Sequence, residues 1–310
     1  MTKKTLFIIK YLLLIVLVAG CTPNPSHAGV STSIPTTDIE PGTEGAPIEA
    51  TPYGFSEEYL LNSELFAPFY GENVQLTDGE AVVEGEYGDS RFFLLPQMAF
   101  GNLNDDGAED AAVLLAENGG GTGTFVSLIV FLNEEGIKKQ IGNRLIDDRP
   151  RIQSISIEDG RIVLDALIHN IGDAMATPTL QTHRSYQLFD EQLILTECSS
   201  SIQDGEERSI TIDAPVDGQS VSGTVELKGT MPIAPFENNL RLAIYDSAGN
   251  LLSEAAFMVD AEDVGMPAVF NNSITLPEIP TGSLLRIELS DLSMADGSLI
   301  AMDSVSVEVK

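Results

Sequence analysis

The sequence predicts a mainly β protein, in which an antiparallel β-rich domain with a short N-terminal helix precedes an immunoglobulin-like β-sandwich. Short apolar or alternating runs recur along most of the chain, and turn sequences containing Gly with Asn, Asp or Glu separate them. Short strands joined by such turns are typical of antiparallel hairpins. A single segment, near the start of the globular part, has helical spacing.

Composition narrows the classes of function. The 310 residues include 16 Lys+Arg and 47 Asp+Glu, a net charge of −31, and 43% are hydrophobic. The apolar content is too high for a disordered chain, and the length suits roughly two domains. The charge argues against nucleic acid as a partner, because that binding needs Lys and Arg at the phosphates.

Residues 1–20 are predicted to be a lipoprotein signal peptide. Three lysines accompany an apolar run at residues 11–19, about half the roughly 20 residues that a membrane-spanning helix needs. The run ends in Val18-Ala19-Gly20-Cys21, which resembles the bacterial lipobox. The resemblance implies that Cys21 carries lipid and that the protein is anchored to the cell membrane, facing outside the cytoplasm. The alternative is an ordinary signal peptide that ends near a cysteine.

The mature chain is predicted to have four parts. Residues 21–52 form a disordered tether, because Pro, Thr, Ser and Gly alternate with acids and no apolar periodicity appears. A β-rich domain spans residues 53–198, and a polar linker spans 199–207. The immunoglobulin-like sandwich spans 208–310.

The β-rich domain is expected to open with a helix over Glu57–Phe69, which Pro68 and Gly71 end. Strand-like runs follow, separated by turns such as Glu158-Asp159-Gly160. The predicted strands are Arg91–Phe100, Ala111–Leu115, Phe125–Leu132, Ile152–Ile157, Ile162–Ile168 and Arg184–Phe189.

The second domain contains about seven predicted strands in about 100 residues, without a convincing helix, and this pattern favours an immunoglobulin-like sandwich. The Cys and Trp signature of antibody domains is missing from it. The predicted strands are Ile210–Ile212, Thr224–Lys228, Leu240–Tyr245, Leu251–Val259, Asn272–Leu276, Leu284–Leu289 and Ser304–Val309.

The second domain also resembles a family, the immunoglobulin-like domain of bacterial spore-germination proteins. One departure is Val269, which precedes Phe270 where family members often carry Trp. The resemblance implies an extracytoplasmic binding or packing module and supplies no catalytic residue. The motifs that carry it are Ala214-Pro215 with Gly218, Val221-Ser222-Gly223, Val225-Glu226-Leu227-Lys228-Gly229, Pro235-Phe236-Glu237, Asp246-Ser247-Ala248-Gly249 and Asp296-Gly297-Ser298.

A calcium site is predicted in the loop 102–110, which fits the pattern [DN]-x-[DN]-x-D-G-x-x-D. Oxygen ligands at this spacing, with Gly at the sixth position for the sharp turn, can wrap a hard cation. The loop lies between strands and resembles the calcium loops of integrin-type β-repeat proteins. The expected ligands are the side chains of Asn102, Asn104, Asp106 and Asp110 and the carbonyl of Ala108.

Two interpretations of this loop remain open. In the first, Ca²⁺ binds and stabilises the fold, although Asn at the first position weakens the site by removing one charge. In the second, an Asx-rich hairpin caps its own backbone. The stretch around the loop, residues 99–125, also resembles uncharacterised bacterial secreted and lipoprotein domains, which adds no activity.

Two weaker candidates complete the set. An irregular loop between strands could hold a ligand through His169, Asp173 and Thr179, although histidines in such loops are more often only hydrogen-bonded. Cys198 is expected to be a bystander thiol, since no base lies near it in sequence.

The preferred function is that of a non-enzymatic, lipid-anchored envelope protein whose two β domains bind an unknown envelope protein or glycan. Its contact with the membrane is expected through the lipid anchor only. The alternative is an extracellular hydrolase of cell-wall or polysaccharide substrate with unidentified acidic catalytic residues. Two carboxylates in one cleft, with shifted pKa values, would favour the hydrolase.

Overall fold

Antiparallel sheets make up most of the described chain, and the predicted fold class is confirmed. The computed structural model describes residues 54–310, apart from 87, 190, 202–204 and 264. The predicted signal peptide, Cys21 and the tether lie outside the described residues.

The described elements are one α-helix, α1 (Glu57–Leu61), one 3-10 helix (Phe236–Asn238) and twenty strands. The strands are β1 Glu64–Ala67, β2 Glu72–Gln75, β3 Glu80–Val83, β4 Ser90–Gly101, β5 Asp110–Asn118, β6 Phe125–Glu134, β7 Ile137–Asp148, β8 Arg151–Glu158, β9 Arg161–Ile168, β10 Leu180–Phe189, β11 Gln192–Ser201, β12 Thr211–Ala214, β13 Gln219–Val221, β14 Thr224–Met231, β15 Asn239–Asp246, β16 Leu251–Met258, β17 Asp260–Ala261, β18 Ala268–Thr275, β19 Leu284–Leu292 and β20 Leu299–Val309.

The N-terminal helix is present but shorter than predicted. Ser56 caps α1 by accepting a hydrogen bond from the backbone N–H of Tyr59 at 3.2 Å. The helix ends at Leu61, and the next apolar residues belong to β1, which pairs with β2. Burial alternates along β1, with Leu65 buried and Phe66 exposed, so this part of the predicted helix has the period of a strand.

The β-rich region has two cores on either side of one sheet. The five-stranded sheet runs β3-β4-β5-β6-β7, and nearly every residue of β5 is buried. One face, with Leu114, packs against β8–β11, whereas the other, with Leu115, packs against α1, β1 and β2. A strand that is buried on both faces has a continuous run of apolar residues in its sequence, without alternation.

The second region is a sandwich. One sheet runs β12-β14-β18-β17 and faces the paired strands β16, β15, β19 and β20 across a single apolar core. Burial alternates residue by residue along β14, as expected for a strand with one face in a core.

The two regions are joined through a continuous sheet of nine strands, because β11 pairs with β20. Glu197 lies opposite Asp303 and Cys198 lies opposite Met302. We call this pairing the joint. The hydroxyl of Ser304 donates to the carbonyl of Thr196 across it at 2.9 Å. The predicted linker 199–207 therefore begins inside β11, which ends at Ser201.

Candidate functional site

The calcium-like loop between β4 and β5 caps its own backbone. The side-chain oxygen of Asn102 accepts from the N–H of Asn104, and that of Asn104 accepts from the N–H of Asp106, both at 3.2 Å. Asp106 accepts from the N–H of Ala108 at 2.7 Å. Asp105, with φ of 60°, and Gly107, with φ of 84°, make the sharp turn. These are the Asx turns of the second interpretation.

Asp110 ties the loop to the neighbouring strands. Its fully buried carboxylate accepts from the N–H of Leu103 at 2.8 Å and of Asn133 at 2.9 Å. Burial raises its pKa, and the charges of Asp106 and Glu134 add to this rise, although the two hydrogen bonds oppose it. Asp110 thus has a structural role in its own right.

The donor set of the loop suits a hard cation. The side chains of Asn102, Asn104, Asp106 and Asp110 offer two amide oxygens and two carboxylates, the ligand chemistry that Ca²⁺ prefers. Their hydrogen bonds leave lone pairs free, since a carboxylate has about four acceptor sites. Among the described residues, no three His, Cys, Asp or Glu side chains group as a metal site. The loop is therefore compatible with weak calcium binding, which stays a prediction.

The predicted ligand loop is held by its own hydrogen bonds. Asp173 accepts from the hydroxyl of Thr179 at 2.9 Å and from the N–H groups of Thr179 and Asn170 at 2.8 Å. The Asn170 and Thr179 contacts hold the pKa of Asp173 below its usual value. His169 instead pairs with Asp147 at 2.8 Å. Burial opposes its charged form, but Asp147 outweighs burial and raises the pKa of His169.

Cys198 lies in the interior of the β-rich region and is a free thiol. Burial raises the pKa of the thiol, and this outweighs the opposing charge of Arg184. A thiol held protonated by burial is a poor nucleophile.

A cleft lies between β7 and the sheet face formed by β10, β11, β19 and β20, beside the joint. Its volume is about 460 Å³, within the range of about 300–1,000 Å³ of small-molecule sites. Three arginines line it, together with tyrosines and apolar side chains. We call it the arginine cleft; its polar lining includes Arg144, Arg184, Arg286, Glu288, Tyr186 and Tyr245.

Part of this lining is an internal ion-pair network. Glu288 accepts from Arg286 at 2.6 Å and from Arg241 at 3.1 Å. The guanidinium of Arg286 also stacks on the Tyr245 ring, 4.3 Å from its centre. These contacts hold Arg286 in place and neutralise part of its charge.

Among the described residues, the other two arginines have no carboxylate partner within 4.0 Å. Arg144 donates to the carbonyl of Leu193 at 2.9 Å. Arg184 hydrogen-bonds the Tyr186 side chain, and its Nε atom is buried without a partner among the described residues. Sequence reasoning missed this site because its residues come from separate strands and no spacing pattern connects them.

One region of the chain matches a known protein family. Residues 209–298 match the family model of the immunoglobulin-like domain of bacterial spore germination. The match confirms the resemblance of the second region. It extends from just before β12 to the turn before β20, so it includes Arg286 and Glu288 but neither Arg144 nor Arg184. No curated protein and no solved structure is significantly similar to the chain.

Five of the surface cavities among the described residues each have one carboxylate in their lining: Glu64, Asp246, Glu288, Glu206 and Asp89. The hydrolase alternative needs a pair of acids across one cleft.

Proposed function

We propose that this is a lipid-anchored cell-envelope protein, held by Cys21, that presents its two β regions for binding or structural interaction outside the cytoplasm. The family match of residues 209–298 on a β-sandwich is the observation that carries the proposal. Among the described residues, no helix has the length and apolar character needed to cross a membrane.

Calcium is the proposed structural cofactor of the loop 102–110. The oxygen donors of the loop and the buried carboxylate of Asp110 support this role. A cation that binds only the folded state would stabilise it by mass action. The expected dissociation constant for Ca²⁺ is about 10⁻⁴–10⁻³ M, the range of extracellular calcium-binding modules.

Lipid anchoring is tested by metabolic labelling of the full chain with a radioactive or clickable fatty acid in a bacterial host. The wild-type chain is expected to take up label and to sediment with membranes, whereas Cys21→Ala takes up none. Cys198→Ala is the matched control and keeps the label. Labelling of Cys21→Ala, or an unlabelled wild-type chain, contradicts the anchor.

Binding is tested with the fragment 51–310, because residues 50–310 form a separate compact unit. The immobilised fragment is expected to recover a defined envelope protein or glycan from envelope extract, and heat-unfolded fragment is expected to lose it. Parallel experiments with Ca²⁺ and with chelator show whether the loop contributes. Failure to recover any protein or glycan contradicts the binding role.

A further inference from the structure

The arginine cleft is positively charged in a strongly acidic chain. Its lining contains three guanidinium groups and one carboxylate, whereas the whole chain has 16 Lys+Arg against 47 Asp+Glu. An anion is repelled by most of such a surface, and a local cationic cleft is where it can bind.

Two of the three arginines lack a carboxylate partner. Among the described residues, neither Arg144 nor Arg184 forms a salt bridge within 4.0 Å, whereas Arg286 is paired with Glu288. The charge of Asp147 acts on Arg184, but its carboxylate is already hydrogen-bonded to the backbone and ring of His169. The cleft therefore contains two cationic groups without a counterion of their own.

Arg184 is fixed in the wall of the cleft. Its guanidinium lines the cleft and also hydrogen-bonds the Tyr186 side chain. The strand position of Arg184 is fixed by its pairing with Leu164 on β9 and Cys198 on β11, so its backbone is held in place.

We propose that the arginine cleft binds the phosphate group of an extracytoplasmic ligand, with Arg144 and Arg184 as its main donors. Guanidinium groups match phosphate oxygens with paired hydrogen bonds, and two of them balance a phosphate dianion. The Tyr245 ring and the apolar side chains of Leu145 and Ile194 in the same lining provide contact for the organic part of the ligand.

This inference names a ligand class for the proposed binding role and rests on that role. It also depends on the joint, because Arg144 and Arg184 belong to the β-rich region and Arg286 belongs to the sandwich. The continuous sheet through β11 and β20 sets them around one cavity.

The test is a titration of the ¹⁵N-labelled fragment 51–310 in a phosphate-free buffer at low ionic strength. The probes are orthophosphate, glycerol phosphate and, as a dicarboxylate, succinate. Both phosphates are expected to shift the Nε signals of Arg144 and Arg184 in a saturable way and to bind more tightly than succinate. Binding of succinate alone, or of none of the three, overturns the proposal.

Three variants locate the site. Arg144→Gln changes an exposed residue and should leave the fold intact, while Arg184→Gln changes a half-buried one. Each is expected to weaken glycerol phosphate binding about tenfold or more, the effect of losing a charged hydrogen bond. Arg151→Gln, on the exposed start of β8, removes the same charge outside the cleft and should change binding less than twofold. Equal weakening by all three variants, or unchanged binding in folded Arg144→Gln, contradicts the site.

Failure here is distinguishable from failure of the proposed function. The titration uses no membrane and no envelope extract, so a chain that is lipidated and captures an envelope partner but ignores phosphate loses only the ligand assignment. A chain that binds phosphate in the cleft but is not lipidated loses only the anchor.

Discussion

The loop 102–110 and the arginine cleft are opposite kinds of polar cluster. In the loop, each side chain already bonds a backbone group a few residues away, and Asp110 satisfies two more donors. In the cleft, neither Arg144 nor Arg184 forms a salt bridge with a carboxylate of the described residues. The spacing of the loop residues predicts a cation site, yet their side chains already have hydrogen-bond partners within the loop. No sequence spacing predicts the cleft, yet two of its arginines have no carboxylate partner among the described residues.

A contiguous motif and a cluster assembled from distant strands differ in the partners that their polar groups can reach. Local spacing identifies groups that can meet a cation, and the same groups can equally cap a turn. A set of charges from distant strands has no such local alternative, so cationic groups without a carboxylate partner point more directly to an anion.

The largest expected effect comes from breaking the loop at its buried end. Asp110→Ala leaves the N–H groups of Leu103 and Asn133 without their acceptor, at about 1–3 kcal/mol for each. We expect the free energy of unfolding of the fragment 51–310 to fall by about 2–4 kcal/mol in urea titrations. Asp106→Ala frees two exposed donors, the N–H of Ala108 and the side-chain amide of Asn104. It is the control and should cost less than about 1 kcal/mol, because water can replace an exposed acceptor. Equal losses would contradict the structural role of Asp110.

Calcium gives the next effect. If the loop binds with a dissociation constant of about 10⁻³–10⁻⁴ M, 10 mM Ca²⁺ stabilises the fold by about 1.4–2.7 kcal/mol and raises Tm by several degrees. Asp106→Asn should lose most of this rise. Glu109→Gln, the same charge change at an exposed loop residue outside the ligand set, should keep it. A Tm that neither Ca²⁺ nor chelator moves would leave only the Asx-turn interpretation.

The smallest effect lies in the joint. Burial raises the pKa of Asp303 to about 6, and the charge of Glu197 opposite it contributes. Because the folded pKa lies above the ordinary value of 3.8, stability from this group is greatest below that value and is lost as the pH rises through about 6.

Glu197→Gln removes the like-charge contact across the joint. We expect a gain of about 0.2–1 kcal/mol at pH 7.5, or about 0.4–4 °C in Tm. Tm measured between pH 4 and pH 8 should also fall less steeply in the variant. Glu158→Gln, on the exposed end of β8, is the control and should leave both values unchanged.

The sequence predicts the fold class because alternation and turn chemistry are local properties. The strands around the loop, Met98–Phe100 and Ala111–Leu115, follow from their apolar runs. The helix predicted from the sequence is wrong at Leu65 and Phe66, which belong to β1. Over so few residues, helical spacing cannot be distinguished from the alternation of a strand. The sequence-based prediction also misses β7, whose mixed burial hides its alternation.

The candidate calcium ligands could be predicted from the sequence because they lie in one contiguous loop. Whether the loop binds calcium stays a prediction. The arginine cleft could not be predicted, because Arg144, Arg184 and Arg286 meet only through the pairing of β11 with β20. That pairing links residues more than 100 positions apart, and no local pattern specifies it.

The arginine cleft exists only if the joint is rigid, so that the β-rich region and the sandwich keep one orientation. Residual dipolar couplings of the backbone amides in the fragment 51–310 measure this directly. We predict that couplings from residues 54–201 and from 208–310 fit one common alignment tensor. Two clearly different tensors would show that the regions reorient independently, and would contradict both the continuous sheet and the site built on it.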